Sequence, residues 1–142
     1  MENTHLHENG KKLLVVDDQP FFASFLREKF EERGYSVVTV GDAQQALTFV
    51  NASTAPMVIL LDLMLPGASG HQLLRELAKG AHAAEIRVVL VSAHHTVETV
   101  AANHPMVVGR AQKPVDMGEL ARLVDTASRD LAAQALATSA EP

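Results

Sequence analysis

The chain has 142 residues, and its 12 Lys and Arg against 17 Asp and Glu give it a formal net charge of −5. This length fits one domain with a single buried core, and the acidic balance argues against a nucleic-acid-binding protein, which needs a basic face. Because the sequence has no Cys, disulfides, thiolate metal sites and cysteine nucleophiles are excluded, and the N-terminus lacks the apolar core of a signal peptide.

Five short apolar runs along the chain are typical of β-strands. Four of them are almost continuously apolar, which favours parallel strands that are covered on both faces of a sheet. The run at residues 36–40 is β-branched and partly alternating, which also favours a strand. In chain order, the predicted strands are residues 13–16, 36–40, 57–61, 86–91 and 106–108.

The first segment between these runs has the period of an amphipathic helix. It should end before Gly34, because glycine commonly follows the last turn of a helix. At this spacing, the aromatic side chains are expected in the core rather than in a cofactor site. The stripe consists of Phe22, Phe25, Leu26 and Phe30, and Phe21 is assigned to the same core.

Four more helices are predicted along the rest of the chain. Two of them begin with an acidic residue that is followed three residues later by Gln or Glu, a pairing typical of helix starts. These pairs are Asp42 with Gln45 and Asp116 with Glu119. A leucine stripe at residues 73–77 marks another helix. The segment after Ser92 is β-branched and precedes Pro105, so only a short fourth helix is expected there. The last helix should extend to about residue 137.

A strand followed by a helix, repeated five times, predicts an α/β protein with right-handed crossovers. We expect residues 1–10 to form a disordered polar tail and residues 11–128 to form the domain. Residues 129–142 should extend the last helix and end in a C-terminal tail. No internal repeat or linker indicates a second domain.

Polar side chains follow four of the predicted strands. Asp17 and Asp18 come after the first run, Asp62 after the third, Ser92 after the fourth and Lys113 after the last. Ligands of parallel sheets bind beyond the carboxyl ends of the strands. We therefore expect the carboxylates, the hydroxyl and the ammonium group to converge at one edge of the sheet.

Converging carboxylates repel one another, and each pair at 4 Å would cost about 4 kcal/mol at an effective dielectric constant of 20. The cluster therefore needs a cation or shifted pKa values. Oxygen ligands of this kind suit Mg²⁺ better than Zn²⁺. Lys113 adds a charge that suits a phosphoryl oxygen, and an aspartate beside a metal ion and a lysine can accept a phosphoryl group.

Four blocks of the sequence, in this order, resemble the signature of the response regulator receiver domain. The blocks are VVDD at 15–18, LDLMLPG at 61–67 with Gly70, VSA at 91–93, and Lys113-Pro114, and Gly34-Tyr35 is similar as well. The resemblance covers roughly Lys11 to Ser128. It implies a doubly wound, flavodoxin-like (βα)5 fold, with five parallel strands in the order 2-1-3-4-5 and helices on both faces.

The resemblance also implies roles for the matching residues. Asp62 would accept the phosphoryl group. The Mg²⁺ ligands would be Asp17, Asp18, Asp62 and the backbone carbonyl of Met64. Ser92 would move toward the phosphoryl group. Lys113 would contact that group and precede a cis peptide bond of the kind that proline permits.

By the same resemblance, the chain would be a single-domain response regulator that catalyses only its own phosphorylation and dephosphorylation, and it would not be an enzyme on a separate substrate. Its donor would be the phosphohistidine of a sensor histidine kinase or of a histidine phosphotransfer protein. Its output would pass through the surface of the fourth helix, fifth strand and fifth helix to an unidentified protein target. We expect a cytoplasmic protein without DNA or membrane partners, and we leave a weak homodimer open.

Two positions call for separate interpretation. Receiver domains usually carry an aromatic residue three positions before the lysine, where this chain has Arg110. We interpret Arg110 as an exposed residue of a partner-binding surface, because a guanidinium group is costly to bury; a solvated arginine without a role is the alternative. His94 either tunes dephosphorylation, since imidazole titrates near neutral pH, or is an ordinary loop residue.

Two other functions stay open. A phosphohydrolase with an aspartate nucleophile usually has a second acid two residues later, and this chain has Met64 there. A receiver-like interaction scaffold, whose output is independent of phosphorylation, is favoured by Arg110. The complete set of three aspartates, a serine and a lysine disfavours it.

Overall fold

Five parallel strands and four α-helices make up the part of the chain that this computed structural model describes, residues 11–53, 56–65, 70–93 and 104–140. The strands are β1 (Lys12–Val16), β2 (Ser36–Val40), β3 (Met57–Leu61), β4 (Ile86–Ser92) and β5 (Val107–Gln112). The helices are α1 (Pro20–Glu32), α2 (Ala43–Ala52), α3 (Gly70–Lys79) and α4 (Met117–Ala140), with a short 3-10 turn at Ala83–Glu85.

The strands form one sheet in the order β2-β1-β3-β4-β5, and every neighbouring pair is parallel. Alternate side chains of the central strands enter two separate cores. Leu14 belongs to the core covered by α2 and α3, and Leu13 belongs to the core covered by α1 and α4. The predicted fold class, strand order and placement of helices on both faces are confirmed.

The predicted helix boundaries have clear local causes. The Asp42 carboxylate accepts the N–H of Gln45 at 2.8 Å, and the Asp116 carboxylate accepts the N–H of Glu119 at 3.1 Å. Both bonds satisfy a donor that the first turn of a helix leaves open. Gly34 has a φ of +97°, a left-handed conformation that glycine adopts without a steric penalty, and it follows α1 directly after Arg33.

Three details differ from the sequence-based expectations, and the first is β5, which ends at Gln112 rather than at residue 108. Phe21 and Phe25 are 91% and 40% exposed, so their assignment to the core was wrong. The buried face of α1 consists of Ala23, Leu26 and Phe30, whose spacing matches one helix face. The last helix continues to Ala140 rather than ending near residue 137. The predicted fourth helix falls within residues 94–103, outside the described residues, so α4 corresponds to the fifth helix of the predicted pattern.

Tyr35 connects the start of β2 to α4. Its ring is fully buried and meets Phe30 edge to face, with 5.6 Å between the ring centroids. Its hydroxyl donates to the Asp125 carboxylate at 2.5 Å, and Arg33 donates to the same carboxylate at 2.8 Å. Burial, followed by the bond to Asp125, raises the pKa of Tyr35, so the phenol stays protonated and remains a donor.

None of the described helices combines the length and the hydrophobicity that a membrane span requires, and this includes the 24-residue α4.

The close approach of Gly70 to the end of β3 predicts a stability defect in Gly70→Ala. A Cβ atom there would lie 2.8 Å from the Leu63 Cα and 3.2 Å from the Asp62 carbonyl oxygen, and neither backbone atom can move freely. We expect a loss of about 1–3 kcal/mol in the free energy of unfolding, measured by urea denaturation. In the control Gly80→Ala, the nearest atom is 3.5 Å away, and the change should stay below about 1 kcal/mol. Equal effects in both variants would contradict this account.

Candidate functional site

The carboxyl edge of the sheet brings two aspartates together. Asp17 directly follows β1, and its N–H donates to the Val40 carbonyl at 3.1 Å. Asp62 directly follows β3, and its N–H donates to the Val16 carbonyl at 3.0 Å. The sheet hydrogen bonding thus continues one residue beyond each strand, which fixes the backbone from which each carboxylate projects.

Lys113 directly follows β5, the edge strand on the other side of β4, and its side chain extends to this pair of carboxylates. Its backbone N–H donates to the Ser92 carbonyl at 2.9 Å, which places it beside the end of β4. The Lys113-Pro114 peptide bond is cis, as the family resemblance implies. The Lys113 Nζ lies 3.0 Å from the Asp17 Oδ2 and 3.4 Å from the Asp62 Oδ2. One ammonium group therefore connects residues that are 96 and 51 positions away in the sequence.

Burial makes the charge of Asp62 costly. Asp17 and Asp62 are each only 5% exposed. Burial has the largest effect on the pKa of Asp62 and raises it. The N–H of Met64 and the charge of Lys113 lower this pKa, and the charge of Asp17 raises it further. The net effect is a raised pKa. The N–H of Met64 donates to the Asp62 Oδ1 at 2.9 Å. The charge of Lys113 therefore does not offset the cost of burying the Asp62 carboxylate, and a further cation would stabilise its ionised form.

The geometry of three aspartates fits a hard divalent cation. Carboxylate oxygens of Asp17, Asp18 and Asp62 lie within 4.8 Å of one another, a spacing at which all three can be drawn onto one cation. Asp18 is exposed, so an ion bound here would be open to solvent on one side. All-oxygen ligands and an open side are the arrangement in which Mg²⁺ retains waters or accepts phosphate oxygens.

Two residues of the site were missed by sequence reasoning. The Lys113 Nζ lies 2.9 Å from the Gln19 Oε1 and 4.5 Å from the centroid of the Phe22 ring. Phe22 was assigned to the core from the apolar stripe of α1, but its partly buried ring also contacts the ammonium group, a cation–π arrangement. For Gln19, the feature of the sequence that could have indicated a place in the site is its position directly after the acidic pair Asp17-Asp18.

The remaining predicted residues lie at different distances from this centre. Ser92 is fully buried at the end of β4, and its carbonyl is bonded to Lys113. The Met64 side chain is 57% exposed at the edge of the site. The Arg110 side chain is exposed on β5, the last strand of the sheet. His94 lies outside the described residues. The predicted roles of all four stay predictions.

The chain is similar to known signalling proteins over most of its length. Residues 13–125 match the family model of the response regulator receiver domain. The chain is 33% identical over 93 residues to the transcriptional regulatory protein BaeR of Escherichia coli. This matched region is 66% of this chain but only 37% of BaeR. The chain thus spans little more than a third of that relative.

Solved structures of receiver domains superpose closely on this fold. The receiver domain of the Francisella response regulator 1452 is 29% identical, has a TM-score of 0.74, and is matched over 85% of this chain and 98% of its own. The response regulator TrrA of Thermotoga maritima, in complex with Mg²⁺ and BeF, is 26% identical with a TM-score of 0.70, over 82% of this chain and 97% of its own.

The raised pKa of Asp62 predicts that Asp62→Asn stabilises the metal-free protein at pH 7. A carboxyl whose pKa is raised by folding contributes stability that is fully present below its unfolded pKa and is lost as the pH rises through its folded pKa. Above the folded pKa of Asp62 the wild-type protein lacks this contribution, whereas the uncharged amide avoids the cost of burying a charge. Thermal unfolding in a chelating buffer should show a higher Tm for the variant.

The difference in Tm should shrink as the pH falls through the folded pKa of Asp62, because the wild-type side chain then also becomes neutral. Glu32→Gln, at an exposed carboxylate at the end of α1, is the control and should not show this trend. A lower Tm for Asp62→Asn at pH 7 would mean that the pairing with Lys113 outweighs the cost of burial.

Proposed function

Because this chain belongs to the response regulator receiver domain family, we propose that it accepts a phosphoryl group on Asp62 in a Mg²⁺-dependent reaction. Receiver domains are signalling domains, so the outcome of the reaction is a changed protein surface rather than a released product. The observation that carries the proposal is the Lys113 ammonium group, which lies between the Asp17 and Asp62 carboxylates at 3.0 and 3.4 Å.

The two oxygens of Asp62 have different surroundings, and this arrangement suits a phosphoryl acceptor. Oδ1 accepts the N–H of Met64, which holds the carboxylate in one orientation. Oδ2 faces Lys113. In the proposed step, an Asp62 oxygen attacks phosphorus while the phosphorus–nitrogen bond of the donor breaks, and the bonding electron pair leaves with the imidazole nitrogen. Lys113 can then donate to an oxygen of the transferred group.

The donor in this proposal is the phosphohistidine of a sensor histidine kinase or of a histidine phosphotransfer protein. Asp17, Asp18 and Asp62, with the backbone carbonyl of Met64, would hold the Mg²⁺ ion. When bound, this ion neutralises charge on the carboxylates and on the phosphoryl oxygens. The raised pKa of Asp62 supports the need for such a cation. Ser92, at the end of β4, is the proposed switch hydroxyl, and His94 the proposed residue that tunes dephosphorylation.

The proposed output is a protein contact made by the surface of the predicted fourth helix, β5 and α4. Arg110 is exposed on β5 and is proposed as a residue of this surface. The cytoplasmic location expected from the family resemblance belongs to the same proposal. An interaction scaffold without phosphorylation is the second candidate, because an arginine stands where the family usually has an aromatic residue.

The phosphoryl acceptor can be identified by intact mass spectrometry. We expect one phosphoryl group per chain after incubation with Mg²⁺ and acetyl phosphate, since the acyl phosphate replaces the phosphohistidine as donor. Asp62→Asn should remove the adduct, and Asp130→Asn, with an exposed carboxylate far along α4, should retain it. A chelator should also prevent the adduct, because the clustered carboxylates then lack the cation that offsets their repulsion of the donor.

Each other outcome distinguishes a rival function. A wild-type protein that gains no mass with any phosphoryl donor would favour the scaffold. Continuous release of phosphate with many turnovers per chain would favour a phosphohydrolase. An adduct that persists in Asp62→Asn would place the acceptor on another residue.

Arg110→Ala should leave both stability and phosphorylation nearly unchanged, because the side chain is exposed outside the acidic site. We expect less than about 0.5 kcal/mol in urea denaturation and an unaltered rate of adduct formation. The matched control is Arg87→Ala, since the Arg87 side chain is only 17% exposed and pairs with Asp130 at 2.8 Å. That variant should lose about 1–3 kcal/mol. Slow phosphorylation of Arg110→Ala would instead assign Arg110 to the reaction itself.

A further inference from the structure

Gln19 occupies the N-cap position of α1, but its side chain makes no capping hydrogen bond. Its backbone has the extended conformation of an N-cap, with φ −96° and ψ 104°, and Pro20 follows at the first helical position. Ser, Thr, Asp and Asn are the residues that usually cap a helix from this position. The longer glutamine side chain extends instead into the acidic site.

A closed ring of three contacts joins Gln19, Asp17 and Lys113. The backbone N–H of Gln19 donates to the Asp17 Oδ1 at 2.9 Å. The Lys113 Nζ donates to the Asp17 Oδ2 at 3.0 Å and to the Gln19 Oε1 at 2.9 Å. Gln19 therefore fixes both the carboxylate and the ammonium group, one through its backbone and the other through its side chain.

The ring leaves one contact of Lys113 weaker than the others. An ammonium group has three N–H donors, and among the described residues three acceptors lie near it. The contact to the Asp62 Oδ2, at 3.4 Å, is longer than those to Asp17 and Gln19. The Phe22 ring packs against the same ammonium group at 4.5 Å. The donor directed at Asp62 is therefore the one that can be exchanged most easily for a new acceptor.

We propose that Gln19 is a positioning residue, which holds the Lys113 ammonium group beside Asp62 so that one donor is available to the phosphoryl group. The expected effect on phosphorylation rests on the proposed function, whereas the contact between Gln19 and Lys113 can be tested without phosphorylation. A lysine side chain has four flexible bonds, so fixing its head group in advance avoids an ordering step during the reaction.

Three variants separate positioning from a structural role. Gln19→Ala removes the acceptor but keeps the backbone N–H that binds Asp17. Gln19→Ser also removes the acceptor, while its hydroxyl is of the kind that caps helices, so the Tm should not fall. Gln19→Glu keeps an oxygen acceptor at the same length. The control is Gln44→Ala, at an exposed glutamine of α2.

The first measurement is the rate at which acetic anhydride acylates Lys113, followed by peptide mass spectrometry. Lys79, whose side chain is 72% exposed, serves as the internal reference within each protein. Lys113 has a side chain that is only 14% exposed and should react slowly in the wild type. We expect its relative rate to rise about threefold or more in Gln19→Ala and Gln19→Ser, and to stay low in Gln19→Glu and Gln44→Ala.

The second measurement is the rate of adduct formation at saturating acetyl phosphate and Mg²⁺. Gln19→Ala and Gln19→Ser should both be slowed roughly three- to tenfold, with the final level of adduct on Asp62 unchanged. Gln44→Ala should match the wild type. Slower phosphorylation of a variant whose Tm is maintained is a result that a purely structural role of Gln19 does not produce.

The outcomes that overturn the inference differ from those that overturn the proposed function. Unchanged acylation of Lys113 in both Gln19→Ala and Gln19→Ser would show that Gln19 does not hold the ammonium group. Faster acylation with an unchanged phosphorylation rate would show that the contact has no effect on the reaction. A wild-type protein without any adduct would overturn the proposed function, and the acylation result would still stand.

Discussion

The site depends on one ammonium group that lies between two nearly buried carboxylates. Asp17 and Asp62 project from neighbouring strands, and without a cation between them their charges would repel in a region of low exposure. Lys113 supplies that cation from β5, on the other side of β4. The cluster remains short of positive charge, which is consistent with the raised pKa of Asp62. This shortage is the physical link between the fold and the proposed Mg²⁺-dependent phosphoryl transfer.

Much of the fold and the centre of the site could be predicted, because both depend on short local patterns. Continuous apolar runs are a strong signal of strands in a parallel sheet, and the predicted bounds of β2 and β3 agree with the structure. Residues directly after such strands must meet at one edge of the sheet, so Asp17 and Asp62 could be grouped from their positions alone. Lys113 stands five positions after the predicted end of the last strand, and directly follows β5 only in the structure. The caps at Asp42 and Asp116 were equally local signals.

The failures involve side chains whose environment is set by distant parts of the chain. Phe21 and Phe25 share the residue type of the core, but their positions on α1 point away from the sheet, and a stripe of phenylalanines could not reveal this. Gln19 has no functional signature by itself. Its role depends on Lys113, which is 94 residues away, and on a helix start that leaves its side chain without a capping bond.

Calorimetric titration with Mg²⁺ measures directly whether the cluster of Asp17, Asp18 and Asp62 binds a divalent cation. We expect one saturable Mg²⁺ site per chain, weakened roughly tenfold or more in Asp18→Asn, since that exposed carboxylate completes the cluster. The affinity should be unchanged in Asp130→Asn, whose carboxylate lies on α4. No saturable binding, or equal affinity in wild type and Asp18→Asn, would show that the three aspartates do not form a cation site.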